Sequence, residues 1–341
     1  MEILCPTPPT ADRIQMGHGS GGRQTQKLIE EIFYPAFAND ALLAKHDAAS
    51  LSLRGVPLAF TTDSFVIHPL FFPGGDIGQL AVTGTLNDLA MAGARPLYLS
   101  AGFILEEGLE LSVLKRIAQS MARTATGAGA ALVTGDTKVV DRGKGDGVYI
   151  NTAGIGERIF PNDICPASVK PGDAVILSGD VGRHGMAVMA AREGLGLESD
   201  LISDCAVLWP EVERLAKAEV TVHCLRDLTR GGLASALNEI AAGAGATIAV
   251  EEKAVPVSPA VASTCELLGL DPLYVANEGR FVAFVPAKDA DRALKALTGL
   301  SPNPQIIGRV TAGPARVTLT NALGLERLLD LLYGEPMPRI C

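Results

Sequence analysis

The 341-residue chain is poor in several things, and each shortage narrows what it can be. Aromatic residues make up 5%, with a single Trp, so its cores must be built from Val, Leu, Ile and Ala. No stretch approaches the roughly 20 consecutive apolar residues of a membrane span. No two of the cysteines (Cys5, Cys165, Cys205, Cys224, Cys265, Cys341) form a Cys-x-x-Cys pair. Zinc-ribbon and thioredoxin-type sites are thereby excluded, and scattered thiols in a long chain fit a reducing cytosol. There is no long basic run and the net charge is −9, so neither nucleic acid nor an anionic membrane is an expected partner. The N-terminus, MEILCPTPPTADR, has an acid and prolines where a signal peptide needs an apolar run, and a soluble, cytoplasmic protein is expected.

Familiar catalytic signatures are missing too. The one Gly-Lys pair, Gly143-Lys144, is followed by Gly145 where a phosphate-binding loop needs Ser or Thr. Neither His-Glu-x-x-His nor Gly-x-Ser-x-Gly occurs. Gly17-x-Gly19-x-x-Gly22 matches the dinucleotide fingerprint, but Asp-Arg-Ile-Gln-Met before it is a poor buried strand. That segment reads either as a loop or as a flap whose N–H groups close over phosphate.

What is present is enough apolar sequence for two domains of roughly 150 residues. Strand and helix patterns mix in both halves, so the expected class is α+β. A helix is predicted over Arg23 to Phe37, and strands near Leu51–Leu53 and Pro57–Phe60. The spacing predicts a helix over Asp76–Ala92, a strand over Leu97–Leu105, and a helix from Leu111 to near Gly127. A short strand over Ala131–Thr134 and another over Val148–Ile155 follow. Pro161, Pro166, Pro171 and Gly172 mark a domain boundary. The pattern resumes with a strand at Ala174–Ser178, a loop over Gly179–Gly185, and helices from Met186, Pro210 and Thr229. Strands at Thr247–Glu251, Arg280–Val285 and Arg316–Leu319 close it, with a helix over Ala287–Leu297. The expected division is an N-terminal segment over 1–40, domains over 41–160 and 161–333, and a tail over 334–341.

The acids carry the chemistry. Asp63 follows an apolar strand and two threonines, and Asp136 lies in Gly-Asp-Thr-Lys after another strand. Asp88 lies within an otherwise apolar helix, and Asp47 sits among small residues. A buried carboxylate is costly unless paired or bound to a cation, so such acids suit Mg²⁺ and nucleotide phosphates; each also suits a turn or helix cap. Lys138 reads as a phosphate contact or a surface lysine. Glu278, in Asn-Glu-Gly, reads as a turn residue or a base reaching into a cleft. Asp227-Leu-Thr-Arg230-Gly-Gly and the Gly-rich loop holding His184 are further helix starts with open N–H groups. The tail, Gly-Glu-Pro-Met-Pro-Arg-Ile-Cys341, looks unpacked, stiffened by Pro336 and Pro338. Eight extended residues span about 25 Å, enough to carry a nucleophilic thiol from a surface into a cleft.

Together, Thr62-Asp63-Ser64, Pro69-Leu-Phe-Phe-Pro-Gly-Gly75, Gly84-Thr-Leu-Asn-Asp-Leu-Ala90 and Gly135-Asp-Thr-Lys138 resemble the HypE family of hydrogenase maturation factors. Asp227 to Gly232, Asn277-Glu-Gly279 and Pro338-Arg-Ile-Cys341 extend the resemblance to essentially the whole chain. Aminoimidazole ribonucleotide synthetases, selenophosphate synthetases and thiamine-monophosphate kinases are its wider relatives. The resemblance implies two domains of the aminoimidazole ribonucleotide synthetase-like type, a homodimer with a β-barrel at the N-terminal interface, and a flexible tail. It also implies ATP-dependent dehydration of an S-carboxamide on Cys341 to a thiocyanate, which supplies cyanide ligands for the iron of the NiFe-hydrogenase active site. The implied cofactors are ATP and Mg²⁺, and the implied partners are the carbamoyltransferase HypF and the HypC–HypD complex. By resemblance, Asp47, Asp63, Asp88 and Asp136 bind Mg-nucleotide, with Thr62 and the flap residues Gly19, Ser20, Gly21 and Gly22, and Asp88 is also a catalytic residue close to the chemistry at Cys341. Lys138 stabilises the transferred phosphoryl group and Glu278 is the base, with His184, Asp227 and Arg230 as further candidates.

Overall fold

The computed structural model describes residues 14–37, 39–194, 201–332, 334, 337 and 339–341. The first ten residues and the tail prolines Pro336 and Pro338 lie outside the described residues. A 3-10 turn, Met16–Gly19, leads into a helical run of Arg23–Leu28 (α1), a π-helical stretch Ile29–Phe33 and Tyr34–Phe37 (α2). Asp40–Leu43 (α3) follows.

The first sheet begins with the hairpin of β1 (Ala49–Leu53) and β2 (Val56–Phe65). A ribbon of β3 (Phe71–Phe72) and β4 (Gly75–Asp76) precedes α4 (Ile77–Met91). Asp76 starts α4 by accepting from the N–H groups of Gly78 and Gln79 at 2.8 and 3.0 Å. Then come β5 (Ala94–Glu106), α5 (Leu111–Gly127), β6 (Ala131–Val140) and β7 (Val148–Arg158). The five strands are ordered β1-β2-β7-β5-β6, and only β5 and β6 run parallel.

The second half holds β8 (Asp173–Leu177), α6 (Arg183–Arg192), α7 (Trp209–Lys217), β9 (Cys224–Asp227) and α8 (Gly232–Ala244). It continues with β10 (Thr247–Glu251), α9 (Pro259–Leu268), β11 (Phe281–Pro286) and α10 (Ala290–Leu297). Strands β12 (Gln305–Thr311), β13 (Arg316–Thr320) and β14 (Glu326–Leu328) complete a seven-stranded sheet, β14-β13-β10-β12-β8-β11-β9. The runs Ala-Val-Ile-Leu in β8 and Phe-Val-Ala-Phe-Val in β11 are fully buried, as strands covered on both faces must be.

Helix α4 fixes the relation between the halves. Nearly all of its side chains are buried, because it lies between the first sheet and the second domain. Asn87 joins the two: its Nδ2 donates to the Ala206 carbonyl at 3.0 Å and its Oδ1 accepts from the Leu208 N–H at 2.8 Å. One apolar core runs from Phe65, Leu80 and Leu86 through Met186 and Val275 to Met337 and Ile340 of the tail.

Several expectations need correction. The strand expected to end at Thr134 continues to Val140, because parallel pairing with β5 carries it on, so Asp136 and Lys138 lie within a strand. Asp63 likewise lies inside β2, held there by pairing with β7. His184 sits in the first turn of α6, where a loop was expected. The tail is not unpacked. Ile340 bridges Ile67 in antiparallel fashion, and Met337 and Ile340 are each 3% exposed. Two apolar side chains gain more from burial in the core between the domains than the tail's stiffness suggested.

Candidate active site

A cavity of about 350 Å³ opens between the domains. The N-terminal domain contributes Asp47, Thr62, Asp63, Phe65, Gly84 and Asp88, and the second domain contributes Arg226, Asp227, Arg230, Glu239 and Glu278. Gly21 and Thr25 close one side, and Cys341 lines the same cavity. Gly84 is there for a packing reason: a Cβ would meet the Phe65 ring at 2.8 Å, and Phe65 ends the strand that carries Asp63.

Oxygen atoms of Asp47, Asp88 and Asp227 all lie within 4.8 Å of one another, a spacing that suits one hard cation. Asp88 Oδ2 accepts the Thr61 hydroxyl at 2.8 Å. Burial pushes the Asp88 carboxyl well above the usual carboxylate range, and the charges of Asp227, Asp63 and Asp47 push it further. Asp227 is raised in the same way, by burial and then by Asp47. Asp47 is raised by burial, but Arg226 opposes the shift through an ion pair at 2.6 Å. Oδ2 of Asp47 is buried and makes no hydrogen bond among the described residues. Asp47, Asp63, Asp88 and Asp227 in one cavity, with an orphaned oxygen among them, make a donor set that a divalent cation would satisfy.

Glu278 is 2% exposed. Burial holds its carboxyl well above the usual range, reinforced by Asp227, Asp204 and Asp63. Its Oε1 has no hydrogen-bond partner among the described residues. Asp63 accepts from the Ser64 N–H at 2.7 Å and lies 4.0 Å from the Arg230 guanidinium. Burial raises its carboxyl, against the pull of Arg230. Arg230 itself is held more basic than usual, chiefly by negative charge on Cys341.

The structure thus brings together Asp47, Thr62, Asp63, Asp88, Asp227, Arg230, Glu278 and Cys341. Asp136 and Lys138 are elsewhere. They pair with each other at 2.8 Å, are largely exposed, and line a shallower groove that shares Phe65 with the cavity. Of the flap residues, Gly21 reaches the cavity wall, where a Cβ would lie 3.0 Å from that of Arg230. Ser20 turns back to donate to the Gly17 carbonyl, and Gly22 packs on the Leu332 carbonyl. Among the described residues, Gly19 is not part of the cavity wall. His184 serves the tail. Its Nε2 lies 2.5 Å from the Ile340 carbonyl oxygen, an atom that only accepts, so Nε2 carries the proton.

Sequence reasoning passed over Arg226, which pairs with Asp47 and, at 3.2 Å, with Glu239. Its position beside Asp227, at the end of an unrecognised strand, was the available signal. It also passed over His46, whose ring burial and Arg226 push down to about 3.

The chain matches the family models of AIR synthase related proteins: the N-terminal domain over residues 45–158 and the C-terminal domain over 170–319. It is 49% identical over 335 residues to the carbamoyl dehydratase HypE of Rhodobacter capsulatus, covering 97% of this chain and 98% of that one. A crystal structure of the hydrogenase maturation protein HypE in complex with ATP superposes with a TM-score of 0.82 at 46% identity, over 96% of this chain and 100% of that one. A HypE–HypF complex gives 0.85 at 45% identity, over 89% and 99%. No helix among the described residues is long and apolar enough to cross a membrane. Two AIR-synthase-related domains in this order, shared with full-length relatives at nearly half identity, make the chain a member of the carbamoyl dehydratase HypE family.

Proposed function

We propose that this chain uses ATP to dehydrate an S-carboxamide on its own Cys341 to a thiocyanate, as a cytoplasmic step in making the cyanide ligands of NiFe hydrogenase. One observation carries the reading: the docked tail puts Cys341 in the wall of the cavity that also holds the acids, Arg230 and Glu278. The relatives' names and the ATP-bound neighbour support the nucleotide and the reaction.

An amide oxygen leaves poorly. In the first step the carboxamide oxygen attacks the γ-phosphorus, the bond to the ADP oxygen breaks, and an N–H proton is lost. This gives an O-phosphorylated imidate on sulfur. In the second step the remaining N–H proton is lost, the C–O bond breaks, and phosphate departs, leaving S–C≡N. The sum is S-carboxamide and ATP to thiocyanate, ADP and phosphate.

Asp47, Asp88 and Asp227 would hold Mg²⁺, with Asp63 beside them, and the ion would offset phosphate charge. Arg230, facing Cys341 and Asp63, orients the tail end and balances developing negative charge. Glu278 is the base for the N–H protons. Its burial makes it a stronger base than an ordinary carboxylate, and its Oε1 has no hydrogen-bond partner among the described residues to compete for a proton. Lys138 is assigned to the transferred phosphoryl group from the adjoining groove.

We further propose a homodimer through the first sheet. Leu132, Val133 and Val139 are exposed on the edge strand β6, beside exposed Tyr98 and Ile104 of β5, and a second copy packed along that edge would cover them, closing the open sheet into a barrel. HypF would load the carbamoyl group, a pairing supported by the neighbouring HypE–HypF structure, and HypC–HypD would accept the cyano group.

The test is to carbamoylate the full chain, add Mg-ATP, and weigh the Cys341 peptide. Loss of one water is expected in wild type, with a strongly slowed loss in Glu278→Gln. ATP turnover without that mass change would sink the reading, and a full rate in Glu278→Gln would remove Glu278 as the base.

A further inference from the structure

The docked tail is held by backbone groups on both of its edges. On one edge it extends β2: the Val66 N–H donates to the Cys341 carbonyl oxygen at 2.9 Å, and the His68 N–H donates to the Arg339 carbonyl at 3.1 Å. Ile67 and Ile340 form the antiparallel bridge between these bonds. In such a pair, the carbonyl of the bridged residue points away from its partner strand. The Ile340 carbonyl therefore needs a donor from the other side, where a further strand would normally supply an N–H.

No strand lies there; α6 does. His184 is fully buried, and its Nε2–H meets the Ile340 carbonyl at 2.5 Å. Its Nδ1 accepts the Ser203 hydroxyl at 2.8 Å, and Ser203 Oγ in turn accepts from the Cys205 N–H at 3.1 Å. The Phe72 ring meets the imidazole edge-on, 5.3 Å between centroids. Ser203 and Phe72 thus hold the ring in position, and the Ile340 carbonyl selects the tautomer with the proton on Nε2. From the same helix, Arg192 donates to the carbonyls of Arg339 and His68, spanning the tail and the segment it pairs with.

We infer that His184 is a positioning residue for the dehydration: its Nε2–H stands in for the missing neighbouring strand and fixes the register in which Cys341 enters the cavity. The inference rests on the proposed function. Register matters because a slip of one residue turns every side chain to the opposite face. Ile340 would then leave the core, and Cys341 would leave the wall it shares with Asp88 and Glu278.

The experiment follows single-turnover water loss from the carbamoylated full chain at saturating Mg-ATP in wild type, His184→Gln and His184→Asn. A Gln amide N–H falls near the Nε2 position, whereas Asn reaches only as far as Nδ1. His184→Asn is expected to slow dehydration about tenfold, the loss of one hydrogen bond to a fixed acceptor, with the KM for ATP unchanged. His184→Gln is expected to recover most of the rate. Equal rates in the two variants, or slowing that comes with a raised KM for ATP, would overturn the inference. Maleimide labelling of Cys341, mapped by peptide mass, reads the same register without any dehydration. Faster labelling in His184→Asn than in His184→Gln is expected, and equal labelling counts against it even if the proposed reaction itself fails. Ser203→Ala, which keeps the packing while freeing the ring, should give intermediate labelling; wild-type protection there would also refute the role.

Discussion

Two sets of carboxylates face opposite fates in this molecule. Asp47, Asp88, Asp227 and Glu278 share a cavity; burial raises all four, and repulsion from neighbouring acids adds to the rise in Asp88, Asp227 and Glu278. Asp136 lies on an exposed strand, and hydrogen bonds from Lys138 and the Thr137 N–H, with the Lys138 charge, lower it. The residue types match; solvent and neighbours do not. An acid repelled by its neighbours inside a protein is storing a demand for positive charge, while an acid already paired on the surface has none to spare.

The largest expected break in that contrast is Asp88→Asn. It should slow dehydration by about a thousandfold or more, since it removes a central member of the acid set. It should leave the melting temperature of the nucleotide-free protein unchanged or higher, because it also removes repulsion. A fall in melting temperature with retained activity, by calorimetry and mass analysis, would reverse the picture.

Lys138→Ala is the next test. The exposed pair with Asp136 should matter little to stability, so the melting temperature should not move. Dehydration should fall by about a hundredfold if Lys138 reaches the transferred phosphoryl group. A wild-type rate would return both residues to the surface.

The smallest and broadest effect is on stability against pH. Asp88, Asp227 and Glu278 have folded-state values above their unfolded values near 4, so between the two the native state binds more protons. Stability of the nucleotide-free protein should therefore fall as pH rises through that window, by about 1.4 kcal/mol per pH unit for each such group. Saturating Mg-ATP should flatten the slope. Denaturant titrations at several pH values with and without Mg-ATP read it directly. An unchanged slope on adding Mg-ATP would separate the acids from the nucleotide.

Much of this site was legible in the chain. Asp88 stood out because an acid inside an apolar helix needs a reason, and α4 supplies it by lying between the domains. Asp63 was legible as an acid after an apolar run, and Asp227 only as a residue at a helix start. What was not legible depends on contacts between distant residues. His184 meets Ile340 across 156 positions, and no local pattern encodes that. Met337 and Ile340, amid prolines, show no period that marks burial, so the tail read as loose. Arg226 was missed because the four-residue strand β9 is too short to show alternation. Extended β6 was cut short in the reading because Gly-Asp-Thr-Lys looks like a turn, whereas pairing with β5 decided otherwise.

The docked tail also sets the kinetic order of the reaction. A reactant fastened to the same chain as its catalyst meets it at an effective concentration on the order of millimolar, whatever the protein concentration. Turnover of the loaded chain should then be indifferent to dilution. A free carbamoylated peptide offered from solution would have to outcompete an internal rival that never diffuses away.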